Sequence, residues 1–334
     1  MGRTLPIQFV RATVEAAARR DLDIGAALHT AGLTWEMYGN DRARVLPEQA
    51  SKVAQALWEQ TNDELLGLGP QPVPRGVLRM LGLSVIHCAD LRAALSRMTE
   101  FAALSTGLRA TITVADPGVV RVEFPDPPRH RLDPFVIFAV LTGLHRFATW
   151  LIRRPIPLHS VEFPFSAEHL AEEYGIVFGI RPTFGAPRAA LSFDAGHLTE
   201  PVVRTEQELK IFLRDAPGSL VFHQGATYTN TSRVRKILER NPSAEWLSAD
   251  EVARRLSISP PHLRRLLRAE GTSFRTLQEE ILRDRAIESL VRGEESIADL
   301  AARLGYSEPR AFRRAFLRWT GSTPTDYRSA ALPH

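Results

Sequence analysis

The chain has 334 residues, of which 44% are hydrophobic and 24% are charged, and its formal net charge is +4. This length predicts two domains, and the apolar fraction is sufficient for hydrophobic cores. The single cysteine, Cys88, excludes an internal disulfide and a multi-cysteine zinc site, so we expect it to be a small core residue.

The first 217 residues mix helical and strand periodicity, which predicts an α+β domain. Helical spacing predicts helices at 7–33 with a break near 21–23, 47–61, 89–104, 132–153, 167–174 and 201–213. Alternation predicts strands at 108–114, 120–124, 158–165 and 189–193, the first two joined as a hairpin. Three glycines and three prolines predict a loop at 67–76.

The most apolar run, residues 135–144, is ten residues long and is followed by His145 and Arg146. That length is too short to span a bilayer and predicts a buried helix. The amino terminus carries charges throughout and does not follow the pattern of a signal peptide. We therefore expect a cytoplasmic protein with no membrane partner.

The carboxy-terminal region repeats one small helical unit, first at 248–268 and again at 296–316. Each copy opens with a serine, Ser248 or Ser296, and has an acidic residue three positions later, which is the capping-box pattern. A short apolar helix, a tight turn and a second helix follow in each copy. This arrangement predicts an all-α domain with two helix-turn-helix units. The apolar spacing at 274–291 predicts a long helix that joins them.

The second helix of each copy, predicted at 260–269 and 308–318, has an apolar face and a basic face. The apolar stripes consist of Leu263, Leu266 and Leu267 in the first copy, and of Phe312, Ala315 and Phe316 in the second. The opposite faces carry Pro261, Arg264, Arg265 and Arg268, and Arg310, Arg313 and Arg314. An arginine fork can donate two hydrogen bonds at once to guanine or to a phosphate. Ordinary solvated arginines are the alternative, but that alternative does not account for Arg-Arg pairs at matching positions.

The positive charge of the chain is concentrated in this same region. Residues 232–334 hold 19 basic and 14 acidic side chains, so the excess lies in the carboxy-terminal third. A domain that neutralises phosphates is expected to carry such an excess.

These repeats resemble the DNA-binding domain of AraC/XylS-type transcription regulators, in which a long helix joins two helix-turn-helix units. The matching motifs are IADLA at 297–301, LGYSEP at 304–309, AF at 311–312, RAF at 314–316 and RWTG at 318–321, followed by Pro324, Tyr327 and Arg328. The RWTG ending is similar to a subgroup that carries an arabinose-regulator-type ligand-binding domain. Arg310 and Leu317 depart from that subgroup, in which serine and lysine are usual, so the bound DNA sequence does not transfer from a relative.

The arginine pattern and the resemblance together predict which residues contact DNA. Base contacts are expected from Pro261, Arg264, Arg265, Arg310, Arg313 and Arg314. Phosphate contacts are expected from Ser259, Arg268, Thr272 and Ser307. Two recognition helices about one helical turn apart, on the order of 34 Å, would read successive major grooves.

The amino-terminal region is similar to the ligand-binding domain of the same subgroup. Short matches lie at 42–47, 61–63, 66–68, 74–76, 89–91 and 94–95. The resemblance implies a small organic effector, a homodimer and activation through RNA polymerase; in some relatives the effector is a fatty acid or other hydrophobic acid. The sequence does not identify the residues that bind the effector. We predict an effector-binding and dimerisation domain at 1–217, a linker at 218–231 and a DNA-binding domain at 232–330.

The chain shows no catalytic or metal-binding pattern. The ten histidines lack metal-ligand spacing, and the neighbouring His87 and Cys88 have no third partner that would indicate a nucleophile. One alternative is an architectural DNA binder without an effector. Another is a DNA-repair enzyme fused to this DNA-binding domain, which would use a cysteine cluster that this chain lacks. We predict a ligand-responsive, sequence-specific transcription activator that is not an enzyme and has no metal or cofactor.

Overall fold

The structure, a computed structural model, describes residues 4–18, 22–116, 118–125, 132–214, 216, 218, 220, 230–240, 247–293 and 295–331. Of the predicted linker at 218–231, only residues 218, 220, 230 and 231 lie within this part of the chain.

The chain divides into two compact units. The amino-terminal unit contains Val10–Ala27 and Ala50–Thr227, whereas the carboxy-terminal unit contains Met1–Phe9, Leu28–Gln49 and Tyr228–His334. Two early segments of the chain therefore belong to the same unit as the helix-turn-helix repeats.

The residues before 215 form helices and short strands. They are, in chain order, β1 (Leu5–Pro6), α1 (Ile7–Ala18), α2 (Ile24–Thr30), α3 (Trp35–Gly39), β2 (Arg44–Val45), α4 (Pro47–Thr61), α5 (Val77–Val85), α6 (Leu91–Ser105), β3 (Thr111–Asp116), β4 (Val119–Phe124), α7 (Pro134–Leu151), β5 (Leu158–Phe163), α8 (Ala171–Phe178), β6 (Thr183–Phe184), β7 (Ala189–Asp194) and α9 (Glu206–Arg214). Short 3-10 turns occupy Glu168–Leu170 and Ala195–Thr199.

A five-stranded sheet forms the centre of the amino-terminal unit, with strand order β3-β4-β7-β5-β6. Neighbouring strands are antiparallel except β5 and β6, which are parallel. The alternation along β4 buries Val120, Val122 and Phe124, as the predicted hairpin requires. The partner strand β3 begins three residues later than predicted, and Val114 is 56% exposed because β3 lies at the edge of the sheet.

Helix α7 packs against β7 and is the most apolar helix of the unit. It has 18 residues, longer than the apolar run read from the sequence, and by length and composition alone it could cross a membrane. However, 56% of this 18-residue segment is buried inside the protein, as is typical of a core helix. Asp133 caps its first turn by accepting a hydrogen bond from the backbone N–H of Phe135 at 2.9 Å.

The mixed fold predicted for the amino-terminal region is confirmed, with two kinds of difference. Helix α4 has the predicted bounds, whereas α5 was not predicted, because its amino-terminal cap is Gly76, which has no side chain. The elements β1, β2 and α3 were also not predicted, since two to five residues show no periodicity.

The carboxy-terminal unit contains the predicted helical repeats. Its helices are α10 (Asn230–Glu239), α11 (Ala249–Arg255), α12 (Pro260–Ala269), α13 (Phe274–Arg292), α14 (Ile297–Arg303), α15 (Pro309–Thr320) and α16 (Pro324–Ala331). The pairs α11–α12 and α14–α15 are the two helix-turn-helix units, and α13 is the long helix between them. This confirms the predicted fold class of the region.

Each helix-turn-helix unit has its own apolar core. The first consists of Val234, Leu238, Leu247, Val252, Ala253, Leu263, Leu267, Leu277 and Ile281. In the second, the rings of Tyr306, Phe312, Phe316 and Tyr327 contact one another in sequence, with centroids 5.2–5.8 Å apart. Helix α13 spans both cores, because its amino-terminal half packs in the first and α14, α15 and α16 contact it in the second.

The two tight turns have the same backbone geometry but different residues. Ser257 in the first turn and Gly305 in the second both have positive φ, 57° and 86°. In each turn, the residue after this position donates its backbone N–H to the carbonyl five residues earlier. In the first turn, Ile258 donates to the carbonyl of Ala253 at 3.0 Å. Only glycine adopts this conformation without a steric cost, so Ser257 is strained where Gly305 is not.

We expect Ser257→Gly to raise the free energy of unfolding by about 0.5–1 kcal/mol. Glycine removes the steric strain of the left-handed backbone conformation, and this gain exceeds the free-energy cost of the extra conformational entropy that glycine gives the unfolded chain. Calorimetric or urea unfolding of the full chain measures this change. The matched variant Gly305→Ala should have the opposite effect. A loss of stability in Ser257→Gly would contradict the prediction.

Candidate nucleic-acid interface and ligand cavity

Helix α12 presents its predicted basic face to solvent. Leu263 and Leu267 are fully buried beneath it, while Pro261, Arg264, Arg265 and Arg268 are exposed. Ser259 caps the helix by accepting a hydrogen bond from the N–H of His262 at 3.4 Å. The two prolines at the start are tolerated because first-turn N–H groups have no partner within the helix.

Helix α15 repeats this arrangement with phenylalanine in place of leucine. Phe312 and Phe316 are fully buried, and Arg310, Arg313 and Arg314 are exposed. Glu308 is the N-cap residue but its side chain makes no capping hydrogen bond. The predicted contact Ser307 is exposed just before it, and Thr272, beyond the end of α12, is partly buried.

The arginines of these two faces have no carboxylate partner among the described residues, whereas several arginines on neighbouring helices do. On the neighbouring helices, Arg303 pairs with Glu295 and Arg275 with Glu279. The guanidinium groups of Arg264, Arg265, Arg268, Arg310, Arg313 and Arg314 form no ion pair within the part of the chain that the structure describes. Both α12 and α15 therefore carry cations that are free to bind an anion or a base edge.

A buried ionic cluster anchors α13, the long helix between the two helix-turn-helix units. Arg235 of α10 is only 8% exposed and donates to Glu239 at 2.8 Å, to Glu280 at 3.0 Å and to Asp284. Burial alone would raise the pKa of the Asp284 carboxyl. The guanidinium groups of Arg283, Arg235 and Arg44 outweigh that effect and lower this pKa below its usual value.

The early segments of the chain reach the same helix. The Thr4 hydroxyl donates to Asp284, and the Arg44 side chain donates to the Thr4 hydroxyl at 2.8 Å. The backbone N–H of Arg44 donates to the Tyr327 hydroxyl at 2.9 Å. Asn40 donates to the backbone carbonyl of Thr320, at the end of α15, at 2.9 Å. Residues far apart in sequence thus contact α13, the end of α15 and α16.

The amino-terminal unit contains a mostly apolar cavity of about 180 Å³. It lies among α4, α5, α6, β4 and α7. The lining residues are Trp58, Glu64, Leu65, Val73, Val77, Leu78, Leu81, Met98, Thr99, Phe101, Ala102, Ser105, Thr106, Leu108, Ala110, Phe124, Ala139, Val140, Gly143, Leu144, Phe147 and Leu220. A concave apolar site with a few polar groups is typical of small-molecule binding.

Glu64 is the one ionisable residue among these described lining residues. Its two carboxylate oxygens accept hydrogen bonds from the backbone N–H groups of Gly76, at 2.7 Å, and Leu78, at 2.8 Å. Burial raises the pKa of Glu64, while these two hydrogen bonds lower it, and burial has the larger effect. Glu64 therefore caps α5 from outside the helix and places a carboxylate at the wall of the cavity.

Comparison with known proteins identifies the class to which this architecture belongs. Residues 22–202 match the arabinose-binding domain of AraC transcription regulators, and residues 252–330 match a helix-turn-helix domain. The protein is a transcription regulator with an amino-terminal ligand-binding domain and a helix-turn-helix DNA-binding domain. The chain belongs to the AraC family.

Relatives from two bacteria are similar along most of their length. The ornithine utilization regulator of Pseudomonas aeruginosa is 24% identical, over 75% of this chain and 74% of the relative. An HTH-type transcriptional regulator of Mycobacterium tuberculosis is 27% identical, over 74% of this chain and 73% of the relative. The solved structure of the regulator CdpR from Pseudomonas aeruginosa is 19% identical and has a TM-score of 0.31, covering 91% of this chain and 96% of that chain.

The structure adds a candidate site that the sequence did not indicate. The lining of the cavity comes from separate segments that share no motif, and Glu64 was not singled out because one acid near a loop carries no pattern. Among the described residues, no group of three or more His, Cys, Asp or Glu could hold a metal ion.

We expect Asp284→Asn to lower the free energy of unfolding at pH 7 by about 3 kcal/mol, because it removes one charge from a buried ionic cluster. The folded-state pKa of Asp284 is lowered, so its contribution is present above pH ~4 and is lost as the pH falls through the folded pKa. The difference between the wild type and the variant should therefore shrink in acid. Urea unfolding at pH 7 and at pH 3 tests this; a difference that stays constant would contradict it.

Proposed function

We propose that the two exposed arginine faces read DNA and that the cavity binds the effector that controls this binding. The observation that carries the proposal is the arginine pattern: six guanidinium groups that pair with no described carboxylate stand outward on two helices with buried apolar backs. Exposed cations without carboxylate partners need not break an ion pair before they bind DNA.

On this proposal, the two helices have matching roles. Base contacts come from Pro261, Arg264, Arg265, Arg310, Arg313 and Arg314, and phosphate contacts from Ser259, Arg268, Thr272 and Ser307. The exposure of Arg264 and Arg313 supports a base-reading role, because a bidentate contact requires an unobstructed guanidinium group.

Effector control requires a ligand whose affinity differs between two states of the protein. We propose that a small hydrophobic organic molecule in the cavity is that ligand, and that residues 1–217 are also the dimerisation domain. We also propose that residues 218–231 form a linker and that residues 232–330 form the DNA-binding domain. On this proposal the protein is cytoplasmic, is not an enzyme, and activates transcription through contact with RNA polymerase.

The DNA proposal is tested with Arg264→Ala and Arg313→Ala. Each should weaken binding to the cognate DNA by roughly 1–3 kcal/mol and relax specificity at one base position. The cognate DNA is first obtained by genome-wide mapping of sites that the purified protein binds. Affinity is then measured by fluorescence anisotropy on this DNA and on random DNA over a range of salt concentrations.

The matched control is Arg188→Ala, which removes the same charge from an exposed arginine that pairs with Glu123 in the amino-terminal unit. It should leave DNA affinity unchanged. An equal loss on cognate and random DNA would make the tested residue a phosphate contact. If neither Arg264→Ala nor Arg313→Ala had an effect, these faces would not be the interface.

A further inference from the structure

The hydroxyl groups of the cavity can accept hydrogen bonds from a ligand but cannot donate to one. Thr99, Ser105 and Thr106 donate their hydroxyl hydrogens to backbone carbonyls of α6, at 2.8, 2.7 and 2.7 Å. A hydroxyl has one hydrogen, so each has only lone pairs left to offer. Among the described lining residues, the indole N–H of Trp58 is the remaining side-chain donor.

Glu64 adds further acceptor sites. A carboxylate has about four lone-pair sites, and the N–H groups of Gly76 and Leu78 occupy two of those on Glu64. The lining that the structure describes contains no lysine, arginine or histidine. Arg75 lies outside this lining; its charge acts on Glu64, and it pairs with Glu59 at 4.0 Å. The wall of the cavity is therefore both anionic and rich in acceptors.

The basic side chains of the helix beside the cavity are engaged elsewhere. On α7, His145 donates to the carbonyl of Ile156 at 2.8 Å, and Arg146 donates to the carbonyl of Val177 at 3.0 Å. Burial lowers the pKa of His145 to about 4, so its ring is neutral at physiological pH. Neither side chain is part of the lining, and neither offers a positive charge to a ligand there.

The volume of the cavity limits how much of a ligand can lie inside it. An engineered apolar cavity of about 150 Å³ in another protein holds benzene. A cavity of about 180 Å³ therefore fits one benzene ring with a short substituent, or an aliphatic chain of similar volume.

We infer that the ligand of this cavity is a small, mainly apolar molecule that carries a hydrogen-bond donor, either a hydroxyl or an ammonium group, and no carboxylate. A carboxylate ligand would place a second negative charge near Glu64 and would find no cation to pair with among the described lining residues. This inference rests on the proposed function, because it gives the chemistry of the effector at the same cavity. It differs from the hydrophobic acid that the family resemblance suggests.

Three probes of matched shape separate the alternatives: 2-phenylethanol, phenethylamine and phenylacetate. Binding to the full chain without DNA is measured by isothermal titration calorimetry and by the shift in thermal unfolding temperature. We expect the alcohol, the amine or both to bind at least tenfold more tightly than phenylacetate. Comparison of the alcohol with the amine then decides between a neutral and a cationic ligand, and Glu64→Gln should weaken binding of the amine more than that of the alcohol.

Gly143 provides a variant that blocks the cavity. It lines the cavity within α7, and a Cβ added there would meet no atom within 4 Å. We expect Gly143→Leu to fold, because glycine is unfavourable inside a helix, and to abolish binding of all probes by filling the space. The matched control Gly143→Ala adds one methyl group and should retain binding.

Phenylacetate binding as tightly as the other two probes would overturn the inference, as would probe binding that Gly143→Leu leaves intact, or the failure of all three probes to bind. None of these outcomes bears on the DNA interface, which the Arg264→Ala and Arg313→Ala titrations test separately. Conversely, a probe that binds as expected but leaves cognate DNA affinity unchanged would count against effector control while leaving the ligand chemistry intact.

Discussion

Burial of the apolar backs of α12 and α15 is the interaction on which the DNA-binding unit depends. Leu263 and Leu267 pack in a core that includes Leu277 and Ile281 of α13, and Phe312 and Phe316 lie in the second core. Each such side chain stabilises the fold by roughly 1.5–3 kcal/mol when it is fully buried. The exposed arginines make no comparable contribution, so the faces proposed to contact DNA can be changed without loss of the fold.

The ionic cluster around Asp284 has a different role from that of the apolar cores. A buried ion pair is often a weak source of net stability, because removing the charges from water costs about as much as their attraction returns. The cluster nevertheless requires one particular arrangement of its side chains, because Arg235 contacts three carboxylates while Thr4 donates to one of them. It therefore specifies how α10 and Thr4 meet α13.

In the cavity of the amino-terminal unit, the buried polar groups already have hydrogen-bond partners within the protein. Its hydroxyl groups are already bonded to helix carbonyls, and the Glu64 carboxylate already accepts two backbone N–H groups. On the proposed function, a ligand of this cavity satisfies its own polar groups with the acceptors that remain. A ligand that binds only the folded protein also stabilises it in proportion to the logarithm of its free concentration, so binding can be read from unfolding alone.

The sequence by itself determined the helix-turn-helix repeats, the apolar stripes and the helix starts at Ser248 and Ser296. These features follow from side chains three or four residues apart, which is why periodicity and caps predict them. Only the tertiary structure decided the rest. Glu64 caps α5 across a loop, Thr4 meets Asp284 from 280 positions away, and the cavity gathers residues from separate segments. Such contacts depend on where the chain returns in space, and no local pattern records that.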